Sequence, residues 1–395
     1  MTRHRSEGRT TLRLAAAAAG ALLVLLASVI PAGAQEAPTV TLDAEPRVLR
    51  YGGSSHLSGQ VSPPSADQTV NIIDETGAVV ATAVTDEAGA YSVRLSPDVQ
   101  VTVQAQWAAA LSEPVTLKVR PIVKAALGDV LLFGRSRVNG SVKPAHPGES
   151  VRVRLYRNGN FVTSRRVSLR EGRWFDTRFD IGKPGTYRAT ATLSDADHLK
   201  GTGRSGRKTT PLPSLTTGSY GRTVKLLEKR LVELNYHLVG INRRFDYRTA
   251  DAMRAFNKVQ GRARVGTVDV GAWGALARAH SPRARVTGAG FHVEVDQTKQ
   301  VLYTVRDGKV TNAIHVSTGA GGATRDGSFR FYRKVYGYSG GGLYYPTYFD
   351  GLRAVHGWTS VPTYPASHGC VRVPYWTARW IQDKAAIGAR IIIYH

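Results

Sequence analysis

Cys370 is the single cysteine in a chain of 395 residues, two positions after His368 and fourteen after His356. A thiol attacks as its thiolate, and at ordinary acidity only a small fraction is ionised at neutral pH. A base or a positive field must therefore activate it. His368, at i−2, shares a face with Cys370 if the segment is extended. His356 stands ahead of Gly357 on a separate segment that a turn can fold back. Spacing alone does not rank the two.

The other chemistries open to a thiol near imidazoles fit less well. With eleven histidines in the chain, one beside Cys370 carries little weight by itself. A zinc site would have to be built without a second thiol and without an HExxH helix, a poor ligand pattern, so neither metal nor cofactor is expected. No papain-like sequence flanks Cys370. A lone cysteine also forms no intramolecular disulfide, and a free thiol outside the cytosol is an oxidation liability. That favours a functional Cys370 over a buried filler.

The compartment is read from the N-terminus. Arg3, Arg5, Arg9 and Arg13 precede Leu14 to Ile30, which is apolar apart from Gly20 and Ser28. Pro31-Ala32-Gly33-Ala34-Gln35 then offers small residues for a cut after Ala34. These are the three parts of a secretory signal, residues 1–34. Seventeen residues are marginal for a membrane span, so no stable span is expected after cleavage. No cysteine near the cut supports a lipid anchor. The expected location is the cell wall, a periplasmic-type space or the exterior. The net charge of +24 favours polyanionic surroundings. Nucleic acid, anionic lipid and anionic wall polymers all suit such a charge; export disfavours nucleic acid and leaves wall polymers as a candidate partner.

Between leader and thiol lie the elements that must position it. Residues 38–120 read as all-β, with strand-like runs at Thr69–Ile73 and Val79–Val84 broken by turn signals at Gly52-Gly53, Pro63-Pro64, Thr76-Gly77 and Ala88-Gly89. The pattern repeats 81 to 83 residues on: Gly59 returns as Gly140, Val70 as Val151, Gly77 as Gly159 and Tyr91 as Trp174. Two tandem β-sandwich modules of immunoglobulin-like size are expected, 38–120 and 121–208, acting as spacers. They resemble the bacterial immunoglobulin-like spacers of surface proteins. Residues 200–218 are rich in Gly, Ser, Thr, Lys and Pro and read as linker-like, with the linker itself at 209–217.

The texture then turns helical over 218–280. Val224, Leu227, Leu231 and Leu234 form one stripe. Ala252, Met253, Phe256 and Val259 form another, with Asp246 or Thr249 near its start. Trp273 and Leu276 follow Asp269. The frame Leu231-x-x-Leu234-Asn235-Tyr236, Phe245-x-x-x-Thr249-x-x-Ala252-Met253-x-x-Phe256 and Trp273-x-x-Leu276 resembles the peptidoglycan-binding domain 1 family, a three-helix bundle. Glu228 and Asn257 stand where that family usually has glutamine, and Arg243-Arg244 replaces its Asp-Gly.

After a second linker, 281–289, residues 290–395 return to β-patterning. Asp307-Gly308 reads as a type I′ hairpin turn. Tyr375, Trp376, Trp380, Ile381 and Ala385 suit a helix, and Arg390–Tyr394 a buried closing strand. In Tyr336 to Gly351, Gly340-Gly341-Gly342 lies among tyrosines, a composition suited to a lid. Tyr345 and Tyr348 are its candidate substrate contacts.

His356-Gly357 followed by Ser367-His368-Gly369-Cys370-Val371-Arg372 resembles the signature of the YkuD-type L,D-transpeptidases. Val316-Ser317-Thr318-Gly319 and Thr324-x-Asp326-Gly327-Ser328-Phe329 are similar to its upstream elements, with Arg325 in place of the usual proline. The resemblance implies a mainly β catalytic domain that transfers acyl groups through a thioester. Cys370 would attack the third residue of a peptidoglycan stem tetrapeptide, releasing D-alanine, and a neighbouring stem's amine would take the acyl group in a 3→3 cross-link. His356 matches the general base. His368 would orient the site or contact the stem. Gly369 and Cys370 would supply backbone oxyanion donors. Arg372 would hold a substrate carboxylate, support the thiolate or make structural hydrogen bonds, and Ser367 and Gly357 would join the substrate contacts. An L,D-carboxypeptidase, with water as acceptor, and a non-catalytic wall-binding protein are the alternatives.

Overall fold

A computed structural model describes residues 37–194 and 196–395. The leader, 1–34, lies outside the described residues. Among them no helix is long and apolar enough to cross a membrane. The fold is mainly β with four helices: α1 (Arg222–Glu233), α2 (Tyr247–Val259), α3 (Val270–Arg278) and α4 (Tyr375–Lys384).

The first β unit pairs a four-stranded sheet with a six-stranded one, and the second a three-stranded sheet with a five-stranded one. Each pair encloses one apolar core. Val70, Ile72, Val103 and Leu117 fill the first, and Val138, Val151, Val153, Leu155 and Phe179 the second. The internal repeat has a physical cause at Gly59 and Gly140. Each packs so tightly beneath a cross-strand aromatic, Tyr91 and Phe175 respectively, that a β-carbon would collide with it. Register thus matches Tyr91 with Phe175, one residue from the expected Trp174, whose side chain points outward. The stretch taken as a linker begins later than its composition suggests. Gly201–Arg204 and Lys208–Thr209 are strands that add to Thr186–Leu193.

α1 to α3 bury Val224, Leu227, Leu231, Met253, Phe256, Trp273 and Leu276. Asp246 caps α2 by accepting from the Arg248 and Thr249 N–H groups, and Asp269 caps α3 through the Ala272 N–H. Glu228 is buried and accepts from the Arg243 N–H (3.0 Å) and the Thr249 hydroxyl (3.3 Å). It thereby closes the Arg243 turn, whose φ is 66°. Asn257 donates to the Val265 carbonyl at 2.8 Å. The unusual residues of this bundle are thus hydrogen-bonded parts of its frame.

The helices share their core with Val301, Tyr303, Val305, Val310 and Ala313 of the C-terminal region. His237 N–H donates to the Ala313 carbonyl and the Ala313 N–H to the Asn235 carbonyl. His237 stacks on Trp376 of α4 at 5.0 Å, and the Trp376 indole N–H donates to Asp251 at 2.9 Å. The second linker is tied down as well. Arg285 and Val286 N–H groups donate to the fully buried Glu294 carboxylate. Bundle and C-terminal region therefore pack as one body.

That region holds two sheets. One runs Lys309–His315, Val301–Arg306, Phe291–Asp296, Arg390–Tyr394, Gly327–Arg330. The other runs Arg333–Lys334, Tyr344–Asp350, Arg353–Trp358, Val371–Pro374. Asp307 and Gly308 both have positive φ, as a type I′ turn requires. The last two strands of the second sheet are parallel, with Val355 opposite Val371 and His356 opposite Arg372.

Candidate active site

This parallel pair sets His356 opposite Arg372, two residues after the thiol. Val355, Val371 and Val373 point into the core. Strand alternation therefore sends His356 and Trp358 of one strand, and Cys370 and Arg372 at the start of the other, to the opposite face. The placement is visible in the contacts. The Arg372 guanidinium lies 4.2 Å over the Trp358 ring, and the His356 and Trp358 rings are 5.8 Å apart. Cys370 is half-buried, with Sγ 3.9 Å from the Leu352 carbonyl and the Ala354 N–H directed at it.

His356 is 2 % exposed, and its Nδ1 is 3.0 Å from the Gly357 carbonyl. A carbonyl only accepts, so Nδ1 carries the hydrogen and Nε2 keeps its lone pair. Burial lowers the His356 pKa, the Gly357 bond opposes this and Arg372 adds to it. Burial raises that of Cys370, against the Ala354 N–H, Arg372 and Arg353. At neutral pH the resting pair is thus neutral thiol and neutral imidazole, and attack requires proton transfer. His368 is exposed at the loop surface, whereas His356 is buried.

The loop before Cys370 is held from several sides. The Ser367 hydroxyl donates to the Cys370 carbonyl (2.6 Å) and accepts from the Gly369 N–H (3.0 Å). That Gly369 N–H is therefore engaged, and the oxyanion expectation passes to the Cys370 N–H. Gly369 contributes conformation: its φ is 124°, and a β-carbon there would sit 2.7 Å from Arg353 Nε and 2.9 Å from the Ala323 carbonyl. Gly369→Ala should cost about 1–3 kcal/mol and displace the nucleophile. A lowered thermal midpoint together with lost acylation would show it; unchanged acylation would count against this account.

Arg372 donates to the Ala366 carbonyl at 3.2 Å, while its buried Nε has no partner among the described residues. Ser367 is buried within the loop and Gly357 faces Tyr344 and Ala378 on the helix side of the sheet. Tyr348 is buried under the Arg333 guanidinium at 4.0 Å. Tyr345, with φ 47°, packs on Tyr336 and Tyr344. The glycine-rich segment is a closed hairpin: Ser339 pairs with Leu343, and the Tyr338 hydroxyl meets that of Tyr375 at 3.0 Å.

Several supporting residues escape sequence reading. Thr324 donates to the Gly369 carbonyl and accepts from the Gly319 N–H. Arg353 links the Ala323 carbonyl to Asp350, which also pairs with Arg325, the residue in the usual proline position. The Gln300 side chain holds both the N–H and the hydroxyl of Thr318. The Thr318 carbonyl in turn accepts from Ala366 and Ser367. Beneath this lies Lys258 of α2, 3 % exposed. Its Nζ is 2.9 Å from the Gln300 carbonyl, 2.8 Å from that of Val316 and 2.6 Å from His315 Nδ1. His315 Nε2 faces the Val361 carbonyl at 3.1 Å. Carbonyls cannot donate, so one proton is shared between Nζ and Nδ1, and the buried pair needs a single positive charge to complete its hydrogen bonds. Burial opposes that charge, pulling Lys258 down to about 6 and His315 well below its usual value.

The YkuD family, L,D-transpeptidase catalytic domain, matches residues 290–393. An L,D-transpeptidase structure from Xylanimonas cellulosilytica is 36% identical over 47% of this chain and 99% of its own, with a TM-score of 0.44. One from Stackebrandtia nassauensis is 25% identical over 47% and 98%, TM-score 0.31. Mycobacterium tuberculosis L,D-transpeptidase 1 is 20% identical over 29% and 63%, TM-score 0.23. No curated protein matches the chain. Residues 290–393 are thus a YkuD-family L,D-transpeptidase catalytic domain, of a class that acts on peptidoglycan.

Proposed function

We propose that the chain is an exported transpeptidase that forms 3→3 peptidoglycan cross-links through Cys370. The observation that supports it most is the common strand face of Cys370 and the buried, tautomer-fixed His356, inside the family's catalytic segment. In this reading His356 Nε2 takes the thiol proton as Sγ attacks the carbonyl of the third stem residue. The Cys370 N–H faces the oxyanion, and the C–N bond to D-alanine breaks as His356 returns the proton to the leaving amine. An amine of a second stem then attacks the thioester, losing its proton to His356, and the thiol is restored. The unpartnered Nε of Arg372, steadied on Trp358, suits a carboxylate of the bound stem. The helical bundle engages the wall, and the two β modules serve as sandwich spacers.

The test is purified full-length protein with a defined tetrapeptide donor, with and without an acceptor stem. Cross-linked dimer with free D-alanine is expected. Tripeptide alone, even at high acceptor concentration, would replace transfer by hydrolysis, and no D-alanine release would remove the enzyme reading. The pKa directions set a pH profile. Activity should fall as His356 takes a proton, below the usual imidazole range, and show no loss through neutral pH, where burial keeps Cys370 protonated until His356 removes the proton. Stability follows the same sign. The His356 contribution is complete above the unfolded imidazole value and is lost as pH falls through the depressed folded one. An acid limb in kcat/KM above the normal imidazole range would contradict this assignment.

A further inference from the structure

The second β unit carries a basic face that the catalytic reading does not use. Along Ser150–Arg157, Val151, Val153 and Leu155 are buried in the core, so Arg152, Arg154 and Tyr156 point outward. Register extends this face across four strands. Arg152 lies opposite Arg166, Arg154 opposite Thr190, Tyr156 opposite Arg188, and Thr190 opposite Arg204. None of the five strands of this sheet contains Asp or Glu, and among the described residues no carboxylate forms an ion pair with these arginines. Beside Tyr156 a cavity of about 660 Å³ opens between Arg188, Thr190, Arg204, Arg207 and the Asn158-Gly159 turn. The Arg188 Nε is buried there without a hydrogen-bond partner.

The other sheet of the same unit treats arginine differently. Arg137 pairs with Asp176 and Arg135 with Asp180. Facing like charges such as Arg152 and Arg166 cost a sheet stability, and an unpaired buried donor costs more. Folding alone gives no reason for this arrangement. A ligand with repeated anionic groups does. Guanidinium forks match phosphate oxygens in pairs, and a row four strands wide spans roughly 14 Å, more than one phosphate needs.

We propose that this face is a binding site for a phosphodiester polyanion of the cell wall, holding the enzyme beside its substrate. The choice of a wall polymer rests on the peptidoglycan reading of the catalytic domain; the ligand class rests on the face itself.

The test compares the full-length protein with the triple variant Arg152→Ala, Arg154→Ala, Arg188→Ala. The charge-matched control is Arg47→Ala, Arg135→Ala, Arg137→Ala, at arginines that pair with Asp43, Asp180 and Asp176. The probes are poly(glycerol phosphate) and single-stranded DNA, titrated at several salt concentrations. The face variant should lose about tenfold or more in affinity for poly(glycerol phosphate) and show a shallower salt dependence, while the control stays within about twofold. Its thermal midpoint should hold or rise, because the Arg152–Arg166 repulsion is removed; a variant that unfolds would overturn the claim that the face is not there for folding. Equal losses in both variants would reduce the site to net charge. Tighter binding of DNA than of poly(glycerol phosphate) at the same salt would overturn the wall-polymer assignment. Transfer from a soluble tetrapeptide should be the same in all three proteins. Failed polymer binding with intact transfer would sink this proposal alone, and absent transfer in the parent would sink the functional reading instead.

Discussion

Cys370→Ala should bring acyl transfer to background, a loss of at least about 10³-fold. The expected fold-neutrality makes this informative: the thiol is half-buried, meets only the Leu352 carbonyl at long range and the Ala354 N–H, and stands outside the valine core. Cys370→Ser should be nearly as inactive. A serine hydroxyl is far less acidic than a thiol, and the burial that already raises the thiol's pKa would raise the hydroxyl's further. Intact-mass measurement after incubation with a carbapenem should give one adduct on the parent and none on either variant. Dimer formation by Cys370→Ala at the parent rate would end the assignment of the nucleophile.

Lys258→Met should destabilise the protein by about 2–4 kcal/mol and reduce transfer as well. Methionine fills a similar volume, but it leaves the Gln300 and Val316 carbonyls and His315 Nδ1 without their donor in a site that excludes water. Val316 leads directly to Ser317, whose N–H and carbonyl pair with Arg372, and Gln300 holds Thr318 under Ser367. The damage should therefore reach the Cys370 loop. Thermal unfolding and kcat on the soluble donor, with KM little changed, are the readouts. Full stability and full kcat would show that the lysine is not what joins the bundle to the catalytic loop.

The candidate site's strand pair was legible because its pattern is local. A single thiol, the His356-Gly357 step and the Ser367–Arg372 run needed only their order to suggest acyl transfer. The helical stripes were legible because periodic apolar residues and the caps Asp246 and Asp269 act within one or two turns. Trp174 was matched to Tyr91 for the opposite reason: one residue of register changes which side chain faces the core, and only cross-strand pairing reveals it. The strands after residue 200 were hidden by their glycines, which favour a linker in composition but sit under neighbouring backbone in the sheet.

The ranking of the histidines shows where sequence stops. His368 is nearer to Cys370 in the chain, yet the left-handed turn at Gly369 leaves it on the surface. His356, farther along the chain, is set opposite Arg372, on the face expected for the thiol, by a parallel strand pairing that spacing cannot encode. The same limit applies to Lys258 and Glu294: a charged residue in a helical or strand pattern reads as solvated until the fold closes over it. By itself, the sequence determined the lone thiol as the candidate nucleophile, the family of its C-terminal domain and the β–helix–β order, because these follow from residue types and short-range periodicity. Only the tertiary structure decided the tautomer of His356, the hydrogen bond that occupies the Gly369 N–H, and the joining of bundle to catalytic domain. Those depend on which backbone groups long-range packing brings together and removes from water.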